Sequence, residues 1–424
     1  MIDINLLREN PEIITKDLEK RKDKEKLKWV DEVKQLDGRW REAKQDADNL
    51  RHERNEATLQ IQKLKKEGKQ AKEEIKNAGE LSQGISRKEA ELQDLRDKID
   101  NYLMRLPNIM HKTVPTGDSA EDNAVIRKEG KTEKPGFELK SHSELIENLA
   151  DFDRATKIAG AGFYFMKGEL AMLNQALIRF TVDMMLKKGF MLVQVPLMMR
   201  KEPYEGVTDL RDFANVMYKI DGEELYMIAT SEHPMTAMFM NETIEEKELP
   251  VKMLGVSPCF RKEIGSHGVD TRGLFRVHQF DKVEQVVICK PEDSWRLHEE
   301  MLANAEQIFK KLKLPYRVVN ICSGDIGTVA AKKYDIEAWF AKQQAYKEVV
   351  SCSNCTDYQA RRLNIKHGKQ GGSKELVHTL NSTAVATSRV LAVIIENNQK
   401  KNGSIKVPTA LVPYMGGIKE INRR

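Results

Sequence analysis

The hydrophobic positions in the first quarter of the chain recur at alternating steps of four and three residues. This heptad spacing predicts α-helices with one apolar stripe each. A first run covers residues 29–64 and a second covers 81–106, and they are interrupted by Arg54 and Lys88. The stripes consist of Trp29, Val33, Leu36, Trp40, Ala43, Ala47, Leu50, Ala57, Ile61 and Leu64, then Leu81, Ile85, Leu92, Leu95, Ile99, Tyr102 and Leu106.

The two runs predict two antiparallel helices packed on each other as an N-terminal arm. Gly68 lies between them and can end the first helix, which would reach about 55 Å at 1.5 Å per residue. Gly38, Gly79 and Gly84 each weaken helix by about 1 kcal/mol, which allows local fraying. Basic clusters at 20–28 and 63–72 suit a phosphate backbone, but acidic residues alternate with them. Periodicity alone therefore leaves open a dimerisation coiled coil or a solvated spacer.

The pattern changes after Pro107, where turn residues dominate to about Gly136. From Leu145 onward, helical segments alternate with β-rich runs such as FMLVQVPLM and VKMLGVSPCF. Period-two alternation mixed with short apolar runs predicts an antiparallel sheet flanked by helices, an α+β fold. The expected domains are a helical arm over 1–110 with its coiled coil at about 28–104, a linker over 111–140 and a catalytic body over 141–424.

Composition narrows the class of protein. The chain has 424 residues, 40% hydrophobic and 32% charged, with a net charge of +5, so it has room for two or three domains and a mixed-sign surface. Five cysteines are an odd, sparse set that fits a reducing compartment rather than a disulfide framework. The N-terminus has no apolar signal region, and no run approaches the roughly 18 apolar residues of a membrane span. We expect a cytoplasmic protein without a membrane partner.

Charged and aromatic side chains concentrate in FRKEIGSHGVDTRGLFRVHQFDKVE, residues 260–284. The pattern predicts a strand that runs to Glu263, a turn-rich loop and a returning strand from Leu274. Alternate residues of a strand share a face, so Arg261 and Glu263 should point the same way. The residues expected to share the face of the returning strand are Arg276, His278, Phe280, Lys282 and Glu284.

A polar strand face of this kind indicates a ligand, because a core face would be apolar. Arginine suits bidentate recognition of phosphate or carboxylate, and Phe280 offers a stacking plane for a base. The sequence has no P-loop motif and no convincing GxGxxG, so a nucleotide would bind by another route. A solvated hairpin with surface ion pairs of little energetic value is the alternative that these residues leave open.

Three segments resemble the signature motifs of class II aminoacyl-tRNA synthetases. KKGFMLVQVPLM with Pro196 looks like motif 1, and FRxE followed by RxxxF looks like motif 2. TLNSTAVATSRVLAVIIENNQ with Arg389 looks like motif 3, although it lacks the glycine series and carries Ser388 where the general pattern has an acid. The serine-specific branch tolerates this departure.

Five further segments resemble the seryl-tRNA synthetase family in particular, and they follow in order along nearly the whole chain. Those in the body are TSE at 230–232, SHGVDTRGLFRVHQFDKVE at 266–284 and SCSNCTDYQARR at 351–362. Those that resemble the family's N-terminal domain are RHERN at 51–55 and LPNIMHKTVPTG at 106–117.

The resemblance implies activation of L-serine with ATP and transfer of the seryl group to the 3′ end of serine tRNA, with selenocysteine tRNA as a further substrate left open. It implies ATP and Mg²⁺ as cofactors, no zinc, tRNA binding by the N-terminal arm, and a homodimer formed through motif 1. The loop 264–274 would touch the acceptor end of the tRNA.

The resemblance also implies residue roles. Arg261 would hold the α-phosphate and the serine carboxylate, Arg389 the γ-phosphate and one adenine face, and Phe280 would stack on adenine. Arg261, Arg389 and Glu348 are the implied catalytic residues, and Glu348 and Ser351 the implied Mg²⁺ ligands. The implied ATP site comprises Arg261, Lys262, Glu263, Val277, His278, Gln279, Phe280, Glu348, Val349, Val350, Ser351 and Arg389. The implied serine pocket comprises Thr230, Ser231, Glu232, Arg261, Glu284, Asn381 and Thr383.

Serine chemistry fits these residue types. Glu284 or Glu232 can neutralise the ammonium, and Thr383 or a carboxylate can bond the hydroxyl. A site that bonds a hydroxyl rejects alanine because its own polar groups would stay unpaired. Pocket size must exclude threonine.

Other features and functions remain as alternatives. Cys352 and Cys355 form one CxxC, which cannot complete a tetrahedral zinc site by itself, so structural zinc is weighed against buried thiols. His267 and His278 could act as acid–base groups or contact phosphate and pack. The rival functions are a catalytically inactive paralogue that uses the arm to hold RNA or protein, and an adenylating enzyme that charges a carrier other than tRNA.

Overall fold

A computed structural model describes residues 1–132, 135–210, 215–263, 273–369 and 371–422. Its contacts divide the chain into two compact units, Met1–Ile109 and Met110–Arg424. No helix among the described residues is both long and apolar enough to cross a bilayer.

The N-terminal unit is helical throughout, which confirms the predicted two-helix arm. Its helices are α1 (Ile4–Glu9), α2 (Pro11–Lys20), α3 (Lys24–Lys66) and α4 (Lys72–Arg105), and α3 packs along α4. With 43 residues, α3 is about 65 Å long, longer than predicted. The difference arises because the helix starts before the first stripe residue, where the Asp23 side chain accepts a hydrogen bond from the Lys26 amide as an N-cap.

The heptad stripes form the buried seam between α3 and α4. Trp29, Val33 and Ala47 of α3 are buried, as are Leu95 and Ile99 of α4. The helix ends where glycine permits it, because Gly68 has a φ of +69° just after α3. The predicted helix stop at this glycine is therefore confirmed.

The C-terminal unit is built on strands of very different length. The strands are β1 (Ala124–Glu129), β2 (Ala150–Asp151), β3 (Phe165–Met166), β4 (Met191–Val193), β5 (Met198–Arg200), β6 (Leu225–Met227), β7 (Thr243–Glu245), β8 (Val251–Phe260), β9 (Gln279–Cys289), β10 (Tyr316–Asn320), β11 (Lys332–Phe340), β12 (Ala345–Asn354), β13 (Lys366–Gly368), β14 (Lys374–Leu376), β15 (His378–Ala386), β16 (Ile405–Lys406) and β17 (Glu420–Ile421). Its helices are α5 (His142–Leu145), α6 (Phe152–Ala159), α7 (Gly168–Leu186), α8 (Lys201–Val207), α9 (Glu232–Ala237), α10 (Ser294–Leu312), α11 (Tyr358–Leu363) and α12 (Thr387–Asn397).

Eight strands form the main sheet in the order β1-β10-β11-β12-β15-β9-β8-β4. Neighbours pair antiparallel except for β4 and β8, which are parallel. The long helices α7, α10 and α12 pack on this sheet, and their apolar residues share one buried cluster with it. The predicted α+β fold with an antiparallel sheet flanked by helices is thus confirmed.

The strand boundaries at the charged stretch were predicted wrongly. β8 ends at Phe260 and β9 begins at Gln279, so Arg261, Glu263 and His278 lie outside the strands. Glu263 has a φ of +45°, which is left-handed and cannot continue a strand. The Lys262 amide donates to the Val216 carbonyl at 2.7 Å, so the backbone leaves the sheet here.

Candidate active site

A cavity of about 650 Å³ opens where β9, β11, β12 and β15 meet the N-terminal end of α12. Its wall gathers side chains that are more than 150 positions apart in the sequence. The predicted site residues that line it are Thr230, Glu232, Arg261, Glu263, Phe280, Glu284, Glu348, Val349, Ser351, Asn381, Thr383 and Arg389.

Strand alternation explains one wall of the cavity. Phe280, Lys282 and Glu284 of β9 all line it, as expected for every second residue of a strand. On β15, Thr383 lies opposite Glu284, and Asn381 follows two positions away on the same face. The predicted shared face is therefore confirmed from Phe280 to Glu284, whereas Arg276 and His278 precede the strand.

A β-bulge shapes the second wall. Residues three apart on a regular strand face opposite sides, which would separate Glu348 from Ser351. The pairing with β11 skips one residue at Val349, because Val350 pairs with Ile336 while Glu348 pairs with Glu337. The extra residue restores the phase, so Glu348 and Ser351 line the same cavity.

The inner end of the cavity is acidic. The Lys282 ammonium lies 2.8 Å from Glu284 Oε2, and both side chains are almost completely buried. Glu232 accepts hydrogen bonds at Oε1 from the Asn381 amide at 3.1 Å and the Gln359 amide at 3.3 Å. Burial and, second to it, the charge of Glu284 raise the pKa of Glu232 to about 7. A cationic ligand is the natural complement of two neighbouring carboxylates of which only Glu284 is paired with a lysine.

Another part of the cavity wall carries guanidinium groups. Arg389 lies 3.4 Å from Glu348 Oε1 and donates to the Glu348 carbonyl at 3.2 Å. The Glu348 side chain is half exposed, and the positive charges of Arg389 and Lys333 lower the pKa of its carboxyl group. The Arg261 guanidinium lies 5.4 Å from the Phe280 ring centre, within cation–π distance. This part of the wall can therefore bind a polyanion next to an aromatic plane.

Six predicted site residues lie outside the cavity wall. The His278 ring stacks on Phe163 at 5.2 Å and its Nδ1 lies 2.7 Å from the Tyr218 hydroxyl, so this histidine packs rather than faces the cavity. Lys262 lies over the Tyr218 ring, and Gln279 lines a second cavity of about 260 Å³. The remaining three residues are buried, and they are Ser231, Val277 and Val350.

Sequence reasoning assigned no role to several polar residues in the cavity wall. Lys282 is expected on the shared face of the returning strand, and it lines the cavity between Phe280 and Glu284, but the sequence indicates no function for it. Lys333 and Asp325 carry no local signal that separates them from other charged residues. His233 is buried, and burial lowers its pKa to about 3, so it is neutral and bonds the Tyr204 hydroxyl.

The cysteine pair is buried. Burial raises the pKa of Cys352 and Cys355, and the Cys355 sulfur accepts from the Asn381 amide at 3.6 Å. Across the described ranges, no cluster of three or more His, Cys, Asp or Glu residues could hold a metal ion. His267 and most of the loop 264–274 lie outside the described residues.

Family models match both units of the chain. A model described as the seryl-tRNA synthetase N-terminal domain matches residues 1–110. A model described as the tRNA synthetase class II core domain (G, H, P, S and T) matches residues 217–398.

Full-length relatives are similar in sequence and in structure. A serine–tRNA ligase of Methanocella arvoryzae is 53% identical and covers 99% of this chain and 99% of its own. The crystal structure of seryl-tRNA synthetase from Pyrococcus horikoshii complexed with ATP has a TM-score of 0.96 and 47% identity, and it covers 100% of both chains. A cytoplasmic serine–tRNA ligase from Naegleria fowleri in complex with AMP has a TM-score of 0.91 and 36% identity and covers 100% of this chain and 99% of its own.

Proposed function

The chain belongs to the seryl-tRNA synthetase family of class II, and from this membership we propose how its own residues activate serine and charge tRNA. The observation that carries the proposal is that one cavity joins an acidic notch to a pair of guanidinium groups beside an aromatic ring. Serine fits the notch, and the phosphates and adenine of ATP fit the guanidinium end.

In the activation step, the serine carboxylate attacks the α-phosphorus of ATP, and diphosphate leaves with the electron pair of the broken P–O bond. No protein nucleophile is needed, so the protein contributes position and charge. Arg261 holds the α-phosphate and the carboxylate, and Arg389 holds the γ-phosphate. Phe280 stacks on adenine, and Glu263 contacts the adenine edge. Arg389, which now pairs with Glu348, and Arg261, which now lies over Phe280, must reorient to contact the nucleotide.

The acidic notch selects serine. Glu232 and Glu284 neutralise the ammonium group, while Thr383 and Asn381 stand on the same wall to bond the hydroxyl. Alanine would leave these polar groups unpaired, which costs about 1–3 kcal/mol for each buried group. Thr230 lies at the entrance to α9, where its hydroxyl accepts from the Glu232 amide at 3.1 Å.

Mg²⁺ is proposed to bind with ATP. Glu348 and Ser351 face the same cavity and offer oxygen ligands, which suit a hard cation that keeps waters and takes phosphate oxygens. When bound, the ion would neutralise charge on the triphosphate.

The N-terminal arm is proposed to bind the tRNA, and the seryl group then passes to a hydroxyl of the terminal adenosine. Serine tRNA is the proposed substrate, and selenocysteine tRNA is a further one. The domains proposed for this division of labour remain the arm over 1–110, a linker over 111–140 and the catalytic body over 141–424.

A homodimer formed through motif 1 is also proposed, together with a cytoplasmic location. Apolar side chains of α7 and of the edge strand β4 are 42–55% exposed and provide an apolar surface for a second copy; they are Met172, Leu186, Met191 and Leu192. The five cysteines are free thiols, in keeping with a reducing compartment.

The test of the activity is ATP–diphosphate exchange measured with each amino acid in turn. Serine should stand well above threonine, alanine and glycine. An inactive paralogue would show no amino acid-dependent exchange, and exchange with another amino acid in place of serine would refute the proposed pocket.

A second experiment tests the arm. Deletion of residues 28–104 should leave serine-dependent exchange in place and abolish charging of tRNA, since activation needs only the cavity. An adenylating enzyme that charges another carrier would keep its full activity without the arm. Unchanged tRNA charging after the deletion would show that the arm has another role.

A further inference from the structure

Gln359 is a buried residue that lies outside the cavity wall but contacts one of its carboxylates. It is the second residue of α11, and its side chain meets α8, α9 and β15. Its Nε2 donates to Glu232 Oε1 at 3.3 Å and to the Val207 carbonyl at 3.0 Å. Its Oε1 accepts from the Thr379 hydroxyl at 2.6 Å.

The Val207 carbonyl fixes the orientation of this amide. A backbone carbonyl can only accept, so the amide group that faces it must be the NH₂. The Thr379 hydroxyl can donate or accept, and it therefore adopts the donor role toward Gln359 Oε1. A flipped amide would place two acceptors against each other at Val207 and at Glu232. Glu232 is thus always offered a donor.

The two amide donors define which oxygen of Glu232 faces the substrate. Gln359 and Asn381 both donate to Oε1, and no hydrogen bond among the described residues reaches Oε2. The donors also favour the ionised carboxylate, because a hydrogen bond to a charged acceptor is stronger than one to a neutral acceptor. Burial and the charge of Glu284 raise the pKa of Glu232, and the hydrogen bond from Gln359 lowers it.

We propose that Gln359 is a positioning residue for serine, which holds Glu232 by Oε1 so that the ionised Oε2 faces the donor groups of the amino acid. Thr379 fixes the orientation of the Gln359 amide through the hydrogen bond from its hydroxyl to Oε1. Neither residue lines the cavity, so both act through Glu232. The inference rests on the proposed serine pocket.

The test is Gln359→Met in serine-dependent ATP–diphosphate exchange. The loss of one hydrogen bond to a charged group should raise KM for serine on the order of tenfold or more. KM for ATP should stay within about twofold, because the guanidinium end is untouched. The acidic limb of kcat/KM for serine should move to higher pH, since the Glu232 proton is then held more tightly.

Thr379→Val and Gln285→Met complete the test. Thr379→Val removes the hydroxyl and leaves every cavity residue intact, so a smaller rise in serine KM in the same direction is expected. Gln285 is a buried glutamine outside the cavity, which donates to the Met301 carbonyl at 3.2 Å and accepts from Asn304 at 3.1 Å. Gln285→Met should lower thermal stability without moving serine KM or the pH limb.

The outcomes separate the inference from the function on which it rests. If the wild-type protein shows no serine-dependent exchange, the proposed pocket itself is refuted. If the wild type is active and Gln359→Met behaves like Gln285→Met, the positioning role is refuted. If Gln359→Met does not fold, Thr379→Val decides, because an unchanged serine KM in that variant also refutes the role.

Discussion

At the scale of single residues, the charge of Glu232 should change close to neutral pH. Burial and the neighbouring Glu284 raise its pKa to about 7. A carboxyl group with a raised pKa is charged only above that value, so Glu232 gains a proton as the pH falls through about 7. In the proposed serine pocket, a neutral Glu232 would no longer complement the ammonium group of serine.

We therefore predict that KM for serine rises as the pH falls below about 7, while KM for ATP changes less. Glu232→Gln should remove this dependence and raise KM for serine at about pH 8 on the order of tenfold to a hundredfold, the range of a charged hydrogen bond. Exchange kinetics across pH provide the measurement. An acidic limb that persists in Glu232→Gln would assign it to another group.

The second prediction at this scale concerns the contribution of Lys282 to stability. Its ammonium pairs with Glu284 at 2.8 Å, and both side chains are buried. Removing one partner of a buried ion pair typically costs about 3–5 kcal/mol, because the other charge stays without compensation. Lys282→Met should lower the free energy of unfolding by about 3 kcal/mol in equilibrium urea denaturation. The double variant with Glu284→Gln should recover part of that loss, and strictly additive effects would contradict the coupling.

At the scale of elements, the glycines within the long helices give a direct prediction. A Cβ added at Gly38 of α3 or at Gly79 of α4 would meet no atom within 4 Å. Alanine favours helix over glycine by about 1 kcal/mol, so Gly38→Ala and Gly79→Ala should each stabilise the arm by up to that amount. Amide hydrogen exchange of α3 and α4 in the whole protein measures the effect.

Gly84 is the matched control in the same arm. A Cβ there would lie 3.4 Å from Leu50 Cδ1, at the lower limit of ordinary van der Waals contact. Gly84→Ala should therefore stabilise the arm less than Gly38→Ala or Gly79→Ala. Equal protection in all three variants would show that packing at the seam does not limit the gain.

Elements also show how far the sequence could lead. Periodicity located α3 and α4 because their stripe is regular, and alternation placed Phe280 and Glu284 on one face. Alternation failed at Glu263, where the left-handed backbone leaves the strand. Alternation alone would also separate Glu348 from Ser351, which the bulge at Val349 brings to one cavity wall. Gln359 could not be paired with Glu232 from sequence, because 127 positions separate them and only the fold joins them.

At the scale of the whole molecule, the exposed apolar edge of the catalytic unit is the surface proposed as the dimer interface. Leu192 is 48% exposed on β4, which ends the eight-stranded sheet. In a twofold dimer the same patch occurs on both copies, so one substitution changes the interface twice. An aspartate there would place two carboxylates in an apolar contact, where each unpaired charge is costly.

Leu192→Asp should therefore shift the protein from dimer to monomer in sedimentation velocity, with the loss of half its mass. The matched control is Leu59→Asp on α3, an exposed leucine of the N-terminal unit, which is 65% exposed and should leave the dimer intact. Because each copy contains its own cavity, a monomer that retains serine-dependent exchange would place the role of the dimer in stability or tRNA binding rather than in activation. A wild-type protein that sediments as a monomer, or a Leu192→Asp variant that remains dimeric, would contradict the proposed interface.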